Sequence, residues 1–282
     1  SAGRQSRRWM HGAGRVAVRS VRRRYLSPPR AQPCTHWPLI VTTGARPISN
    51  QQTPAGSGTA RGEPRFDPRA VRDFWFGDGA LDDPAYVAER INVWFRTDFA
   101  FDAELREQFG ALVEHARRGG CHEWLADPQS AVALVIVLDQ LPRNIYRGQA
   151  TAFASDAAAR DVARRVLDAG SAVASLSLIE RVFLYMPFEH AEDLALQDFC
   201  VAGYRALHAA APPAFKALMI SCAEAGEAHR DVIRRFGRFP HRNPIVGRES
   251  TAEELAWADG HHGWGQGAAV LTRADASEQT GK

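Results

Sequence analysis

Two short segments gather cationic and amide side chains at matching positions: Asp139-Gln140-Leu141-Pro142-Arg143-Asn144-Ile145-Tyr146-Arg147-Gly148, and Phe239-Pro240-His241-Arg242-Asn243 leading to Gly247. Arg143, Arg147, Arg238 and Arg242 offer planar donor forks that match carboxylate or phosphate oxygens. Asn144, Asn243 and His241 add donors beside them, so all seven are candidate anion- or ligand-binding residues. A second use stays open, because Asp139 and Arg143 stand at i,i+4 spacing and Asn144 suits a turn, which is ordinary structural pairing. Arg234, Arg235, Arg238 and Arg242 fall within nine residues. That is more positive charge than one helix end needs, so an anion or internal acids must sit among them.

The acids that stand out are in Phe188-Glu189-His190-Ala191-Glu192-Asp193. Pro187 is expected to break the preceding helix, placing the acids in the first turn of the next, with Glu189 and Asp193 on one face. Asp139 and Asp193 then read as orienting or neutralising acids. Glu189, His190 and His229 are the candidates for proton transfer, if a cleft collects them. His-Glu-x-x-His and paired-Cys patterns are absent, so neither a metal nor a cofactor is expected. Phosphate loops, dinucleotide fingerprints and nucleophile elbows are missing too, which argues against several large enzyme classes.

Two function classes remain. The leading one is a helical-repeat binding or scaffold protein with a polar Arg/His/Glu cleft for an anionic small molecule or protein segment, in one version a subunit of an organellar complex. The alternative is a hydrolase-like enzyme in which Glu189, His190 or His229 moves protons while Arg143 and Arg242 hold an anionic substrate. Nothing in the sequence supplies a nucleophile. On either reading, Arg143 is expected to matter more for binding than for melting.

Composition divides the 282 residues. The first 62 carry 11 Arg and no Lys, Asp or Glu; against a whole-chain charge of +3, residues 63–282 are left at −8. The basic character thus belongs to the N-terminal segment, which weakens a nucleic-acid reading for the folded part. Arg-rich, Ser-containing and acid-free, this segment fits an organellar presequence or a docking arm for a protein partner. The expected address is the mitochondrial matrix, or the cytoplasm if the segment does not target. Cys34, Cys121, Cys200 and Cys222 show no metal or disulfide spacing, and the last two read as core thiols. No apolar run is long enough to span a bilayer.

The elements that must position these residues read as helices. Asp67-Pro68, Asp83-Pro84 and Asp127-Pro128 each place a capping carboxylate before a Pro at the first helical position. Helices are expected from 68 to 76, 84 to 95, 98 to about 118, 128 to about 140, 149 to 168, 175 to 186, 190 to 210 and 213 to 236, with a short one opened by a Thr251–Glu254 capping box. The run Ala131 to Leu138 is apolar on all sides and reads as a central buried helix. Trp75, Trp94 and Trp124 read as packing residues. The fold class is therefore all-α, antiparallel helix pairs in a tetratricopeptide-like array or a compact bundle. The expected division is a basic extension (1–62), a helical domain (63–258) and a Gly-rich tail (259–282) that folds back through Trp264.

Four segments, DFWFG at 73–77, DQLPRNIYRG at 139–148, FLYMPFEHAED at 183–193 and FGRFPHRN at 236–243, together resemble the uncharacterised bacterial and eukaryotic family known as domain of unknown function 924. The resemblance runs from about Phe66 to Gln266 with the motifs in order. It implies an all-helical, tetratricopeptide-like fold with no established activity. The motif residues carry over as Trp75, Asp139, Gln140, Arg143, Asn144, Arg147, Glu189, His190, Asp193, His229, Arg238, His241 and Asn243, without catalytic roles. Met186 stands where Leu is common, and residues 1–62 are an extension that bacterial relatives lack.

Overall fold

The structure is a computed structural model that describes residues 65–95, 97–261 and 263–266. The expectations for residues 1–62 and for most of the C-terminal tail lie outside the described residues. Among the described residues every regular element is helical and no strand occurs.

The three Asp-Pro signals act as the local chemistry dictates. Asp67, Asp83 and Asp127 accept hydrogen bonds from backbone amides at the starts of α1 (Pro68–Phe76), α2 (Pro84–Trp94) and α4 (Pro128–Val135). Asp98 caps α3 (Phe99–Arg117) in the same way. α4 is buried from Ala131 to Val135, and it continues through a π turn, Ile136–Gln140, into the short α5, Leu141–Ile145. The expected break at Pro142 therefore does not occur, and the first cationic segment is largely helical. Leu141 N–H reaches back to Ile136 O, the wide i to i−5 bond. Pro142 has no N–H to offer the preceding turn, and the Ser155 hydroxyl meets the Leu138 carbonyl at 2.6 Å.

The expected helix over 149–168 is two pieces, a 3₁₀ turn at Ala150–Phe153 and α6 (Asp156–Asp168). A small α7 (Ser171–Ala174) leads to α8 (Leu178–Glu189), opened by a Ser177–Glu180 capping box. α9 (Leu194–Ala210) and α10 (Lys216–Phe236) complete a run of neighbours, and α11 (Ala252–Asp259) starts at the expected Thr251 box. Packing contacts join α4 to α1, α6 and α8, join α6 to α8, and join α9 to both α8 and α10. Trp75, Trp94 and Trp124 are all buried, and the Phe183 ring meets Trp75, Phe76 and Trp94 edge-on at 5.1–6.0 Å. Cys200 and Cys222 are buried free thiols, as is Cys121. No helix of the described residues is long and apolar enough to cross a membrane.

One helix end departs from expectation in a way that matters for the site. α8 runs through Pro187 to Glu189, and His190 is its C-cap. Only one hydrogen bond is lost to the ring near a helix end, while Phe183, Leu184, Met186 and Phe188 all gain burial. Glu189 is therefore the last residue of α8, and Asp193 is the N-cap of α9. They do not share a helical face.

Candidate functional site

The π turn brings Asp139 and Gln140 into the interior, where Asp139 is fully buried. A carboxylate there must be matched by donors. Arg143 Nη1 sits 3.0 Å from Asp139 Oδ1 and 3.0 Å from Asp156 Oδ1, and Arg143 Nη2 donates to Asp156 Oδ2 at 3.0 Å. His190 Nδ1 is 2.9 and 3.1 Å from the two Asp139 oxygens, and the Gln140 amide donates to Oδ2. Burial pushes the Asp139 carboxyl up, but Arg143, His190 and Gln140 outweigh it and hold the group well below the usual carboxylate range.

The acceptors on Asp139 decide the state of His190. Nδ1 must carry the proton it donates, which leaves Nε2 as the lone-pair nitrogen of a neutral ring. Burial, then repulsion from Arg143, lower the His190 pKa and favour that neutral form, outweighing Asp139 and Glu189, which raise it. The arrangement is a carboxylate that fixes an imidazole tautomer.

A second pair lies next to it. His229 Nδ1 faces Glu189 Oε1 at 3.0 Å and Ala225 O at 2.9 Å, so it is also a donor, and the Tyr204 hydroxyl donates to Glu189 Oε2 at 2.8 Å. Burial raises the Glu189 pKa, and His229 and Tyr204 more than reverse it. Gln197 donates to the carbonyls of Glu189 and Ala191 at 2.6 and 2.8 Å, tying down the break between α8 and α9. The His190 and His229 rings are 6.3 Å apart.

The second cationic segment reaches this cluster through Arg242, in a 3₁₀ turn at Pro240–Arg242. Its guanidinium lies between the rings of Phe153 (4.4 Å) and Phe239 (4.6 Å). Nη2 donates to the His190 carbonyl at 3.0 Å, and Nη1 is 3.6 Å from Asp156. Arg242 is only 8% exposed, yet its Nε has no hydrogen-bond partner. Burial and the Arg143 charge lower its pKa to about 10. His241, 6% exposed, has an unpartnered Nδ1, and burial with Arg242, His229, His261 and Arg143 around it drives its pKa well below 6.5.

A strap closes over these groups. Gly263, Trp264 and Gly265 all have left-handed backbones, with φ of 56°, 47° and 81°. Glycine accepts this freely; for Trp264 it costs on the order of 1–3 kcal/mol. The indole lies on His229 with centroids 3.8 Å apart and planes at 24°, and it meets His241 and Phe239 at 5.4 and 5.8 Å. Arg147 Nη1 donates to Gly265 O and Gln266 Nε2 donates to Arg143 O, both at 2.7 Å. A small cavity of about 10 Å³, bounded by Ile91, Trp94, Phe183, Met219 and Cys222, is apolar, lies elsewhere, and is no larger than one water.

A family model described as a bacterial protein of unknown function (DUF924) matches residues 71–261. The chain belongs to this family. A similar solved structure is that of the protein of unknown function ATU0120 from Agrobacterium tumefaciens, 34% identical, with a TM-score of 0.56 over 67% of this chain and 95% of that one. No match was found among curated proteins. Neither the family description nor the neighbour's title names a reaction.

Set on this DUF924 fold, the residues singled out in the sequence separate into groups. Asp139, Arg143, Glu189, His190, His229, His241 and Arg242 converge. Asn144 and Arg147 instead share the buried Asp102 of α3, Asn144 Nδ2 at 2.9 Å and Arg147 by a two-pronged contact at 2.6 and 2.9 Å. Arg238 forms a two-pronged pair with Glu254, whose carboxyl it draws down to about 2, and Asn243 also reaches Glu254, at 3.3 Å. Asp193 is exposed and only caps α9, accepting from Leu196 N at 2.9 Å. Among the described residues no group of three His, Cys, Asp or Glu side chains is arranged to hold a metal.

The expectation that the 189–193 acids neutralise the Arg segment holds only in part. Arg234, Arg235 and Arg238 pair with Asp231, Glu253 and Glu254, while Glu192 pairs with Arg248 and also offsets the Arg242 charge. Asp156, Tyr204, Phe153 and Asp102 were not legible as site residues. Asp102 and Asp156 each fall in the first turn of a helix, which is the one local signal that could have drawn attention to them.

Proposed function

We propose that this chain is a binding protein for an anionic group, carried by a small molecule or a protein segment, with Arg242 as the receiving residue and Arg143, His190 and His241 around it. The observation that carries the reading is the state of Arg242. Arg143 is satisfied by two carboxylates, whereas Arg242 is buried with one hydrogen bond to a carbonyl, a distant carboxylate and a bare Nε. A buried cation in that condition gains from an added anion more than one already paired.

The test is titration calorimetry with inorganic phosphate on the whole chain. Arg242→Gln is expected to weaken binding by about tenfold or more, with a melting temperature unchanged or raised because repulsion with Arg143 is removed. Equal phosphate binding by both proteins, with a large loss of stability in the variant, would falsify the proposal.

A proton-transfer reading has its own support in the Asp139–His190 pair, since Nε2 of a neutral, oriented imidazole is a general base. Hydrolysis of p-nitrophenyl acetate checks it. An activity that rises with pH at values below 6.5 and disappears in both His190→Gln and Asp139→Asn supports the reading, and activity untouched by His190→Gln removes it.

The scaffold version rests on residues 1–62, whose eleven Arg without a single acid suit a mitochondrial address or a protein-docking arm. On the helical surface, the exposed large apolar residues Phe99, Leu194, Ile220, Val246 and Leu255 come from separate elements. They offer no additional argument for a partner.

A further inference from the structure

We infer that Trp264 is an internal placeholder, and that its indole holds, against the face of His229, the position taken by the planar ring of an anion-bearing ligand. The inference rests on the reading of Arg242 as the anion receiver and adds the ligand's second half: a flat ring attached to the anionic group.

Four observations support it. First, Trp264 adopts a left-handed backbone between two glycines that adopt it freely; such outliers persist where the surroundings demand the side chain's position, and they concentrate at clamps and switches. Second, the indole enters by its face, stacked on His229 at 3.8 Å, while its N–H is buried without a partner. Nothing polar specifies an indole there, so another flat ring would fit the same slot. Third, the slot is already an aromatic one, with Phe239, His241 and Trp257 at 5.4–6.2 Å from the Trp264 ring. Arg242, whose guanidinium lies on Phe239 at 4.6 Å, puts a cation at its border. Fourth, the strap's ties to the rest of the fold come from the first cationic segment: Arg147 Nη1 to Gly265 O, and Gln266 Nε2 to the Arg143 carbonyl. Two hydrogen bonds are a small set to break: the neutral Gln266 bond contributes about a tenfold factor or less to an equilibrium, and the charge-assisted Arg147 bond roughly ten- to a hundredfold.

A core role for Trp264 is the rival account, since Val232, Ile233 and Phe239 form a small apolar cluster that it packs against. The two accounts predict different ligand selectivity. Calorimetry compares phenyl phosphate with inorganic phosphate on the full chain and on Trp264→Ala. Emptying the slot is expected to tighten phenyl phosphate by about tenfold while inorganic phosphate moves by less than about threefold. Equal tightening of both probes would mean that Trp264 is only a cover, and no tightening of phenyl phosphate would mean that it is structural; either result overturns the placeholder.

If circular dichroism shows that Trp264→Ala does not fold, Gln266→Ala replaces it. That variant loosens the tie to Arg143 and leaves the indole, and it is expected to shift selectivity in the same direction by about threefold; an unchanged ratio overturns the inference. Failure of the anion reading looks different, because phosphate would then bind wild type and Arg242→Gln alike. A normal Arg242 effect with no selectivity shift removes the placeholder alone.

Discussion

Replacing Arg143 with alanine is expected to lower folding stability by about 3–5 kcal/mol, the range for removing one partner from a buried ion pair. The guanidinium meets Asp139, which is fully buried, and Asp156, whose side chain is 10% exposed. Without it both carboxylates lose their main counter-charge, since Arg242 approaches Asp156 only to 3.6 Å. This reverses the sequence-based expectation that Arg143 serves binding ahead of melting. The i,i+4 pairing with Asp139 was visible as an alternative; Asp156 was not, and the second carboxylate is what changes the balance. Urea denaturation of wild type and Arg143→Ala measures the effect, and a loss under about 1 kcal/mol would show that the pair is solvent-screened instead. The double variant with Asp156→Asn should lose less than the sum of the single losses, because the two residues share one interaction.

Stability is also expected to fall as the pH is lowered from 7 to 5, well before ordinary carboxylates titrate. His241 and His190 both have folded-state pKa values depressed below 6.5, His241 strongly. In the window between each folded value and the unfolded value near 6.5, the unfolded chain binds a proton that the folded chain does not. Stability therefore drops on acidification by about 1.4 kcal/mol per pH unit for each histidine while the window lasts. His241 is faced by Arg242, Arg143, His229 and His261, and His190 by Arg143 against Asp139 and Glu189. A second loss follows at lower pH. Asp139 and Glu189 are depressed in the fold, so their contribution is complete above the unfolded carboxylate range near 4 and disappears as the pH falls through their folded values. Denaturant midpoints at half-unit steps would show the first slope, and His241→Gln should flatten it. A level profile from pH 7 to 5 would contradict the buried-histidine account.

Local chemistry was sufficient for much of the architecture. Asp-Pro pairs at 67, 83 and 127 and the Thr251 box opened helices where expected, because a cap is settled by residues within four positions of one another. The apolar run from Ala131 lies in a central helix because a segment without a polar face has no stable place at a surface. Clustering of Arg143, Glu189, His190, His229 and Arg242 was likewise suggested by residue type, since so many charges in an apolar helical setting must answer one another.

What sequence alone determined here was the all-helical class, most of the helix starts and the inventory of charges the helices carry. Tertiary structure decided which charge answers which. Asp139 meets His190 across 51 positions, Arg242 meets His190 across 52, and Asp102 meets Arg147 across 45. Such pairings depend on how helices pack and have no short-range signature. The π turn adds a residue to one turn and so changes the phase in which Asp139 and Arg143 face the interior. Pro187 was tolerated because packing around α8 outweighed one missing hydrogen bond, which moved Glu189 to a helix end and separated it from Asp193. Trp264 reaches His229 only because three successive left-handed residues turn the chain back, a cost that local preference opposes and that contacts from distant elements must offset.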